Sequence, residues 1–153
     1  MSLKSELELI NAYIEIEKDR FGERLKIIYN IDETLLHARV LPLTIQPLVE
    51  NAIRHGILPK ELGGSVKINI QKLKSHILIS VEDDGVGMNK NQDFINREKI
   101  KEKDRVGVGL VNISRRILRE YGIELQIESI EGKGTKVYFE IPYDVNIYKS
   151  LEE

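Results

Sequence analysis

The sequence predicts a single α/β domain, a two-layer sandwich in which helices cover one face of a mixed, mostly antiparallel sheet. Apolar residues recur at helical spacing in three segments and alternate with polar residues in several segments of strand length. Four of the predicted strands follow one another in pairs, which favours hairpins. Three helices on one face of such a sheet bury both element types economically. A chain of 153 residues, 41% hydrophobic, suits one core.

The first predicted element is a helix over about residues 6–20. Ser5 and Glu8 have the spacing of a capping box, and Gly22 is a natural stop. Two apolar rows follow the helical period, namely Leu7, Ile10 and Ile14, and Leu9, Tyr13 and Ile16.

A strand over residues 25–31 is predicted next, and Pro42 then interrupts the chain. The following apolar residues predict a second helix, for which Gly56 is the expected C-terminal stop. Those residues are Ile45, Leu48, Val49, Ala52 and Ile53.

Two alternating runs, residues 66–70 and 77–81, predict a hairpin that turns at Lys74 and Ser75. From Met88 to Val106 apolar residues become sparse and the charged run REKIKEKDR appears, so we interpret this segment as a loop or lid. A third helix is predicted from near Gly109 to Gly122, and a last hairpin from residues 125–127 and 137–141.

Composition excludes several function classes. The 23 basic and 25 acidic residues nearly cancel, which argues against a nucleic-acid or anionic-membrane binder. Without cysteine there is neither a disulfide framework nor a thiolate metal site. The lack of cysteine also favours a reducing, cytoplasmic setting. No apolar run approaches the ~20 residues of a membrane helix, so we expect a soluble domain.

Six of the eleven glycines form three G-x-G pairs, in VEDDGVGM, RVGVGL and EGKGTKV. Glycine permits positive φ and close approach of a ligand to backbone N–H groups, which nucleotide binding requires. The alternative is three tight turns, and that alternative stays open for Gly132 and Gly134, which lie between two strands.

Asp83 is placed at the exit of a strand, beside Gly85 and Gly87. A buried carboxylate needs a partner, and the 6-amino group of adenine can donate to it, whereas the carbonyl oxygen of guanine would repel it. Asp83 is therefore the candidate that selects the base. Asp84 is expected to face solvent.

The second glycine pair lies between the charged lid and a helix N-terminus, where free N–H groups can bind an anion. No G-K-[ST] follows Gly109, so this is not a Walker loop. The preceding strand and third glycine of a dinucleotide fingerprint are also missing. The pattern indicates phosphate contacts in another nucleotide-binding fold.

Polar residues interrupt the apolar segment LPLTIQPLVENAIRHG. The carbonyl oxygen of Asn51 can occupy one position around Mg²⁺, with phosphates and water in the others. Arg54 can reach phosphate oxygens, but a solvated helix face explains Glu50 and Arg54 equally well. His55 is a candidate for the pocket wall, whereas His37 and His76 are expected at the surface.

Asn in NAIRHG, Asp with two glycines in DDGVG, GVGL after a lid, and GKGT near the end resemble the N, G1, G2 and G3 boxes of one ATPase superfamily. Gyrase B, Hsp90, histidine kinases and MutL share this superfamily and its Bergerat fold. The segments ELELINAYIEIEKDRFGERL and LPLTIQPLVENAIRHGI resemble LytS/YesM-type sensor histidine kinases in particular.

The resemblance implies ATP and Mg²⁺ as cofactors, with Asn51 as the metal ligand and Asp83 on the adenine amine. Asn51, Glu50 and Arg54 are the candidate catalytic residues. Further nucleotide contacts are implied for the following residues: His55, Gly85, Gly87, Met88, Gly107, Gly109, Leu110, Gly134 and Thr135.

One departure from the superfamily is informative. Its hydrolytic members and related serine kinases have a glutamate four residues before the N-box asparagine, where this chain has Pro47. Water and serine benefit from a base, whereas a neutral imidazole is already nucleophilic. Pro47 therefore favours histidine as phosphoryl acceptor, although Glu50 remains an alternative base.

The resemblance also implies a domain plan and partners. Residues 1–24 would end a dimerisation and phosphoacceptor region, residues 25–146 would bind ATP under a lid at about 88–106, and residues 147–153 would be a tail. The acceptor histidine would lie upstream in a homodimeric membrane kinase, with a response regulator downstream and no nucleic acid. The alternatives are a freestanding serine kinase or ATPase of this superfamily, a decayed nucleotide site, and an unrelated α/β domain.

Overall fold

The structure, a computed structural model, describes residues 1–88 and 105–143, except for the side chains of residues 105–108. In chain order its helices and strands are α1 (Leu3–Phe21), β1 (Leu25–Ile31), α2 (Ile45–Asn51), β2 (Gly64–Leu73), β3 (His76–Asp83), α3 (Arg105–Tyr121), β4 (Gln126–Ile130) and β5 (Gly134–Pro142). A π-helical turn, Ala52–Ile57, continues α2, and short 3-10 turns occupy Gly22–Arg24 and Glu33–Leu35.

The five strands form one sheet in the order β1-β2-β3-β5-β4. Only the β1–β2 pair is parallel, which confirms a mixed, mostly antiparallel sheet. Alternate residues of the three central strands are buried on one face, and they share one core with apolar residues of α1, α2 and α3. The residues between them are mostly exposed or half-buried, so the predicted two-layer sandwich is confirmed.

The strand predictions are confirmed within a few residues. The hairpin of β2 and β3 turns at Lys74 and Ser75 as predicted, and Lys74 takes a positive φ of 50° there. Asp83, the last residue of β3, pairs with Val66 on one side and Thr135 on the other. This register places the end of β3 beside the beginning of β5.

Helix α1 begins earlier than predicted. Its N-cap is Ser2, whose hydroxyl accepts from the Ser5 backbone N–H at 3.1 Å, so the predicted Ser5 cap is wrong. The reason is tertiary: Leu3 N–H donates to Ala38 C=O at 2.8 Å and Lys4 N–H to Leu36 C=O at 2.9 Å. These bonds fix the chain start against residues 36–40 and leave Leu3 fully buried. The predicted end at Gly22 is confirmed.

Helix α2 receives its N-terminal cap from another helix. One carboxylate oxygen of Glu6, a fully buried residue of α1, accepts from the backbone N–H groups of Thr44 at 3.0 Å, Ile45 at 2.9 Å and Gln46 at 3.3 Å. A carboxylate at this helix end satisfies orphan donors and complements the positive end of the helix dipole. Glu6 therefore fixes α1 to the beginning of α2.

Gly56 does not stop the second helix, which corrects the prediction. The helix passes through it as a π-helical turn, in which Leu58 N–H donates to Ile53 C=O at 2.9 Å. A glycine stop relies on positive φ, and Gly56 is absent from the positive-φ glycines of the described chain. A side chain at position 56 would collide with Asp83, the last residue of β3.

Helix α3 begins at Arg105 rather than near Gly109, so both glycines of the second pair lie inside it. Glycine costs about 1 kcal/mol in a helix interior, and burial of Leu110, Ile113 and Ile117 further along offsets that cost. The last two residues of the predicted lid therefore belong to α3. Met88, the first residue of the predicted lid, is described, whereas residues 89–104 and the predicted tail lie outside the described residues.

Helix α3 is tied to the segment that precedes α2. The Arg116 guanidinium donates to the carbonyl oxygens of Pro42 and of Leu43, the latter at 2.7 Å. Leu41 N–H donates to the Tyr121 hydroxyl at 2.6 Å. The start of α2 is thus held by α1 on one side and α3 on the other. Across residues 1–88 and 105–143, none of the helices has the length and apolarity needed to cross a membrane.

Candidate functional site

Asp83 is the buried carboxylate at the end of β3. Only 7% of the residue is exposed, and its Oδ1 accepts from Gly85 N–H at 2.9 Å. Burial raises the pKa of Asp83 to about 6, partly opposed by the hydrogen bond from Gly85, while the charge of Asp84 adds to the increase. A carboxyl group with this pKa is ionised at neutral pH but is poorly solvated. It can therefore gain from a donor supplied by a ligand.

Glycines surround Asp83 where any side chain would collide. A Cβ at Gly56 would lie 2.5 Å from Asp83 Oδ1, and a Cβ at Gly134 would lie 2.0 Å from Asp83 O. Gly87, with a positive φ of 71°, is packed so closely that its Cβ would lie 2.2 Å from Ile130 O. Glycine at these positions therefore lets the π-helical turn reach the carboxylate of Asp83, and lets β5 and the turn after β3 pack against neighbouring backbone.

The turn after β3 is joined to the β4–β5 hairpin by hydrogen bonds. Ser129 Oγ accepts from Met88 N–H at 2.7 Å and lies 2.8 Å from Thr135 Oγ1, and Gly132 N–H donates to Val86 C=O at 2.7 Å. The first and third glycine pairs thus belong to one assembly. Sequence reasoning missed Ser129, which no motif marks.

Two cavities lie along the π-helical turn and share Asn51 and His55. A small cavity of about 40 Å³ is lined by Asn51, His55, Gly56, Asp83, Gly87, Met88 and Thr135. A larger cavity of about 450 Å³ is lined by Leu43, Pro47, Glu50, Asn51, Arg54, His55, Gly109, Asn112, Ile113 and Arg116. One side of this helix therefore lines both the small cavity, which contains the Asp83 carboxylate, and the larger cavity, which contains two arginines.

Asn51, the last residue of α2, is half-buried at the junction of the two cavities. A Cβ at Gly109 would lie 3.8 Å from Asn51 Oδ1, so the asparagine carbonyl faces the beginning of α3 across ordinary contact distance. Glu50 Oε1 accepts from Gln46 Nε2 at 3.2 Å. Asn51 and Gly109, of the second glycine pair, therefore lie at the same cavity.

Cationic side chains line the larger cavity. Arg54 is exposed and lies beside the Tyr13 hydroxyl of α1, an interaction that raises the pKa of its guanidinium. Arg116 is half-buried and fixed by the two carbonyl oxygens before α2. Sequence reasoning missed Asn112 and Arg116, although they follow Gly109 by three and seven residues and so lie on its side of the helix.

The remaining predicted site residues differ in how they relate to the two cavities. Leu110 is fully buried in the core. Gly85 and Gly134 act on Asp83 through their backbones. Gly107 lies within the first turn of α3, where helix N–H groups lack intrahelical partners. Asp84 is exposed as expected, and its carboxylate accepts from Ser65 N–H at 2.7 Å.

The histidine predictions can be compared directly with the structure. His37 and His76 are exposed, as expected for surface residues. His55 is half-buried and lines both cavities. Of the three, only His55 therefore lies at the site.

Curated proteins of known family resemble the chain over nearly its whole length. It is 39% identical to sensor histidine kinase YpdA of Escherichia coli over 142 residues, which is 93% of this chain and 24% of YpdA. It is 34% identical to sensor protein LytS of Staphylococcus saprophyticus, covering 94% of the chain and 24% of LytS. The chain thus spans about a quarter of the length of these relatives.

Solved structures share the fold. The histidine kinase domain of the Erythrobacter litoralis EL346 blue-light activated histidine kinase matches with a TM-score of 0.70 at 21% identity, covering 99% of this chain and 64% of that one. The catalytic domain of histidine kinase ThkA matches with a TM-score of 0.69 at 19% identity, covering 93% of each chain.

The family model described as "Histidine kinase-, DNA gyrase B-, and HSP90-like ATPase" matches residues 37–145, more than half of the chain. This range contains all of the sheet except β1, and both cavities. Together with the sandwich fold and the carboxylate among glycines, the match establishes that the chain belongs to the histidine kinase-, DNA gyrase B- and HSP90-like ATPase family.

Proposed function

We propose that this chain binds Mg-ATP and donates its γ-phosphoryl group to a histidine of the same kinase, in two-component signalling. The observation that carries the proposal is the buried carboxylate of Asp83, enclosed by glycine backbones beside a cavity with an asparagine and two arginines. Family membership and the sensor-kinase relatives support this reading.

Base recognition is assigned to the small cavity. The carboxylate of Asp83 accepts hydrogen bonds but cannot donate them when ionised, so it suits the adenine amine and disfavours the guanine carbonyl. Gly87, Met88 and Thr135 also line this cavity. The poor solvation of the carboxylate fits a site completed by a ligand donor.

Phosphates and metal are assigned to the larger cavity. Arg54 would supply positive charge, the first turn of α3, which contains Gly107, would offer N–H groups to the phosphates, Gly109 lines the cavity, and Asn51 Oδ1 is the protein ligand offered to Mg²⁺. The donor set fits Mg²⁺, which is often held by one or two protein groups together with phosphates and water. When bound, the ion would neutralise charge on the transferring phosphoryl group.

The reaction breaks the bond between the γ-phosphorus and the bridging oxygen, forms a phosphorus–nitrogen bond to imidazole, and releases ADP and one proton. Neutral imidazole needs no base as nucleophile. Pro47 lines the larger cavity and offers no base at the position where the hydrolytic members have a glutamate. Glu50 also lines this cavity and stays the candidate for positioning the acceptor or accepting its proton.

The partners follow from the same proposal. The acceptor histidine would lie in a segment before the chain described, in a homodimeric kinase of the cell membrane whose cytoplasmic part includes this domain. A response regulator would receive the phosphoryl group. The relatives named as sensor kinases support this plan, since the chain covers only about a quarter of each.

Nucleotide titration tests the binding half. We expect ATP and ADP to bind in calorimetry and GTP to bind at least about tenfold more weakly, the scale of a lost hydrogen bond to a charged group. Asp83→Ala should weaken ATP binding and remove this preference, whereas Asp84→Ala, at the adjacent exposed carboxylate, is the matched control. Equal binding of ATP and GTP by the unaltered chain would contradict base selection by Asp83.

Phosphoryl transfer tests the catalytic half. With γ-labelled ATP, the chain should label a separate polypeptide that carries the upstream histidine segment, and the label should be labile in acid and stable in base. The chain alone should stay unlabelled, because none of His37, His55 and His76 lies in a segment that resembles the acceptor sequence. Acid-stable label on a serine of a partner protein would favour the serine-kinase alternative.

A further inference from the structure

Gly56 has no backbone reason to be glycine. It lies inside the π-helical turn Ala52–Ile57 and lacks the positive φ found at Gly22, Gly63 or Gly87. In a helix interior alanine is favoured over glycine by about 1 kcal/mol. The local chain would therefore be more stable with alanine, and the cause must lie in what packs against this position.

The neighbour that excludes a side chain is Asp83. A Cβ built on Gly56 would lie 2.5 Å from Asp83 Oδ1, 2.7 Å from Cγ and 3.1 Å from Oδ2, so its three nearest atoms all belong to that carboxyl group. Contacts this short do not occur, so either the helix or the carboxylate must move.

The helix is the less movable partner. The carbonyl oxygen of Gly56 accepts from Val86 N–H at 3.1 Å, and a Cβ at Gly85 would lie 2.2 Å from that oxygen. Two glycines thus let the π-helical turn and the turn after β3 touch backbone to backbone. The flanking residues Ile53 and Ile57 are buried in the core.

The carboxylate can move only by giving up its present orientation. Its Oδ1 accepts from Gly85 N–H at 2.9 Å, and the residue is 7% exposed. A methyl group at position 56 would turn the carboxylate away from this donor, and with it the oxygen that faces the small cavity. The carboxylate group would still be present, but its oxygen would no longer be oriented to accept from the amine of a bound base.

We propose that Gly56 is a specificity-determining positioning residue: the missing side chain holds Asp83 in the orientation that selects adenine. This proposal rests on the proposed function, because it presumes that Asp83 contacts the base. Gly56 also lines the small cavity, but in this proposal it acts through Asp83. In this proposal, Asp83 makes the contact that selects the base, and Gly56 leaves the room that the Asp83 carboxylate needs.

The chain contains a matched control. A Cβ at Gly64 would lie 2.3 Å from Oδ1 of Asp84 and 3.0 Å from Ile57 Cδ1, so Gly64→Ala displaces the neighbouring carboxylate in the same way. Gly64 also lacks positive φ. Asp84 is exposed and bonded to Ser65, outside both cavities. The two variants therefore apply the same steric change to a carboxylate inside the site and to one outside it.

The experiment measures ATP and GTP affinities of the unaltered chain, Gly56→Ala, Gly64→Ala, Asp83→Ala and the Gly56→Ala/Asp83→Ala double variant, by competition with a fluorescent ATP analogue. Thermal unfolding of each variant checks that it is folded. We expect Gly56→Ala to lose about tenfold or more in ATP affinity and most of its preference over GTP, as expected for a lost hydrogen bond to a charged group. Gly64→Ala should keep both.

The double variant separates positioning from general damage. If Gly56 acts through Asp83, adding Gly56→Ala to Asp83→Ala should change ATP affinity by less than about twofold, because the interaction is already lost. Equal tenfold losses in both backgrounds, or equal losses for ATP and GTP, would overturn the inference. Full selectivity in the Asp83→Ala variant would instead refute the base recognition that the proposed function assigns to Asp83.

Discussion

At the scale of single residues, the ionisation of Asp83 connects the stability of the fold with nucleotide binding. Burial raises the pKa of Asp83 to about 6, above the value of 3.8 in an unfolded chain. The protonated form therefore stabilises the fold: this contribution is complete below pH 3.8 and is lost as the pH rises through 6. The nucleotide requires the opposite state, because only the carboxylate accepts from the adenine amine.

We accordingly expect ATP affinity to fall as the pH decreases through about 6, while the nucleotide-free chain loses up to about 3 kcal/mol of stability between pH 4 and 7 from this group. Calorimetry and urea unfolding across this range measure the two slopes. Asp83→Asn, which cannot titrate, should flatten both and separates Asp83 from His55 in the same cavity. Unchanged slopes in Asp83→Asn would assign the pH dependence to other groups.

The side-chain carbonyl of Asn51 is assigned to the metal rather than to the base, so substituting Asn51 should affect binding that depends on Mg²⁺. Asn51→Ala should weaken Mg-ATP binding by about tenfold, the scale of a lost interaction with a charged group, and weaken ATP in excess chelator far less. Titration with and without Mg²⁺ measures the difference. Asn112→Ala, in the same cavity, is the control for general damage to its wall. Equal losses under both conditions would give Asn51 a structural role.

At the scale of elements, Glu6 makes the position of α2 depend on α1. Replacing it by leucine leaves the N–H groups of Thr44, Ile45 and Gln46 without their buried acceptor, which should cost about 2 kcal/mol or more. Glu6→Gln retains an acceptor oxygen and should cost less. Urea unfolding measures both, and Glu8→Leu, at an exposed position of the same helix, should change stability little. Similar losses at positions 6 and 8 would refute the capping role.

Elements whose signal is local could be predicted from the sequence, and those set by distant contacts could not. Alternation located β2, β3 and β5 because one face of each strand meets the core. The sequence predicts too late a start for α1, because backbone bonds to residues 36–40 select Ser2 over Ser5 as the N-cap. It predicts a helix stop at Gly56, because the constraint on that glycine, the carboxylate of Asp83, lies 27 residues away in sequence.

The candidate site also contains some residues that the sequence indicates and others that only the tertiary structure identifies. Asp83, Asn51 and the glycine pairs carry chemistry that the sequence exposes, and the structure places Asp83 and Asn51 at one small cavity. Ser129 and Arg116 could not be found by motif, because each acts by holding backbone from another part of the chain. Their roles depend on the sheet order and on the packing of α3 against α2.

At the scale of the whole molecule, α1 is part of the same core as the sheet. Leu3, Leu7, Ile10 and Ile14 are at most 7% exposed and belong to the cluster that includes β2, β3 and β5. Burial of a large apolar side chain contributes roughly 1.5–3 kcal/mol, so four contribute an amount comparable to the roughly 5–15 kcal/mol that stabilises a whole domain. The assignment of residues 1–24 to a preceding region stays a prediction, and it must accommodate this shared core.

We therefore expect a chain that begins at residue 25 to lose cooperative unfolding and to bind no ATP, because Glu6 and the α1 face of the core would be missing. In the full 153-residue chain, amide hydrogen exchange should give α1 between Leu7 and Ile14 an opening free energy close to that of β2 and β3, as for one cooperative unit. Ile10→Ala should lower the opening free energy of α1 and of the sheet together by about 2–5 kcal/mol, because Ile10 is fully buried. Ile16 is exposed, so Ile16→Ala is the control and should leave the opening free energy unchanged. Exchange of α1 orders of magnitude faster than the sheet would show instead that the helix opens independently of the core.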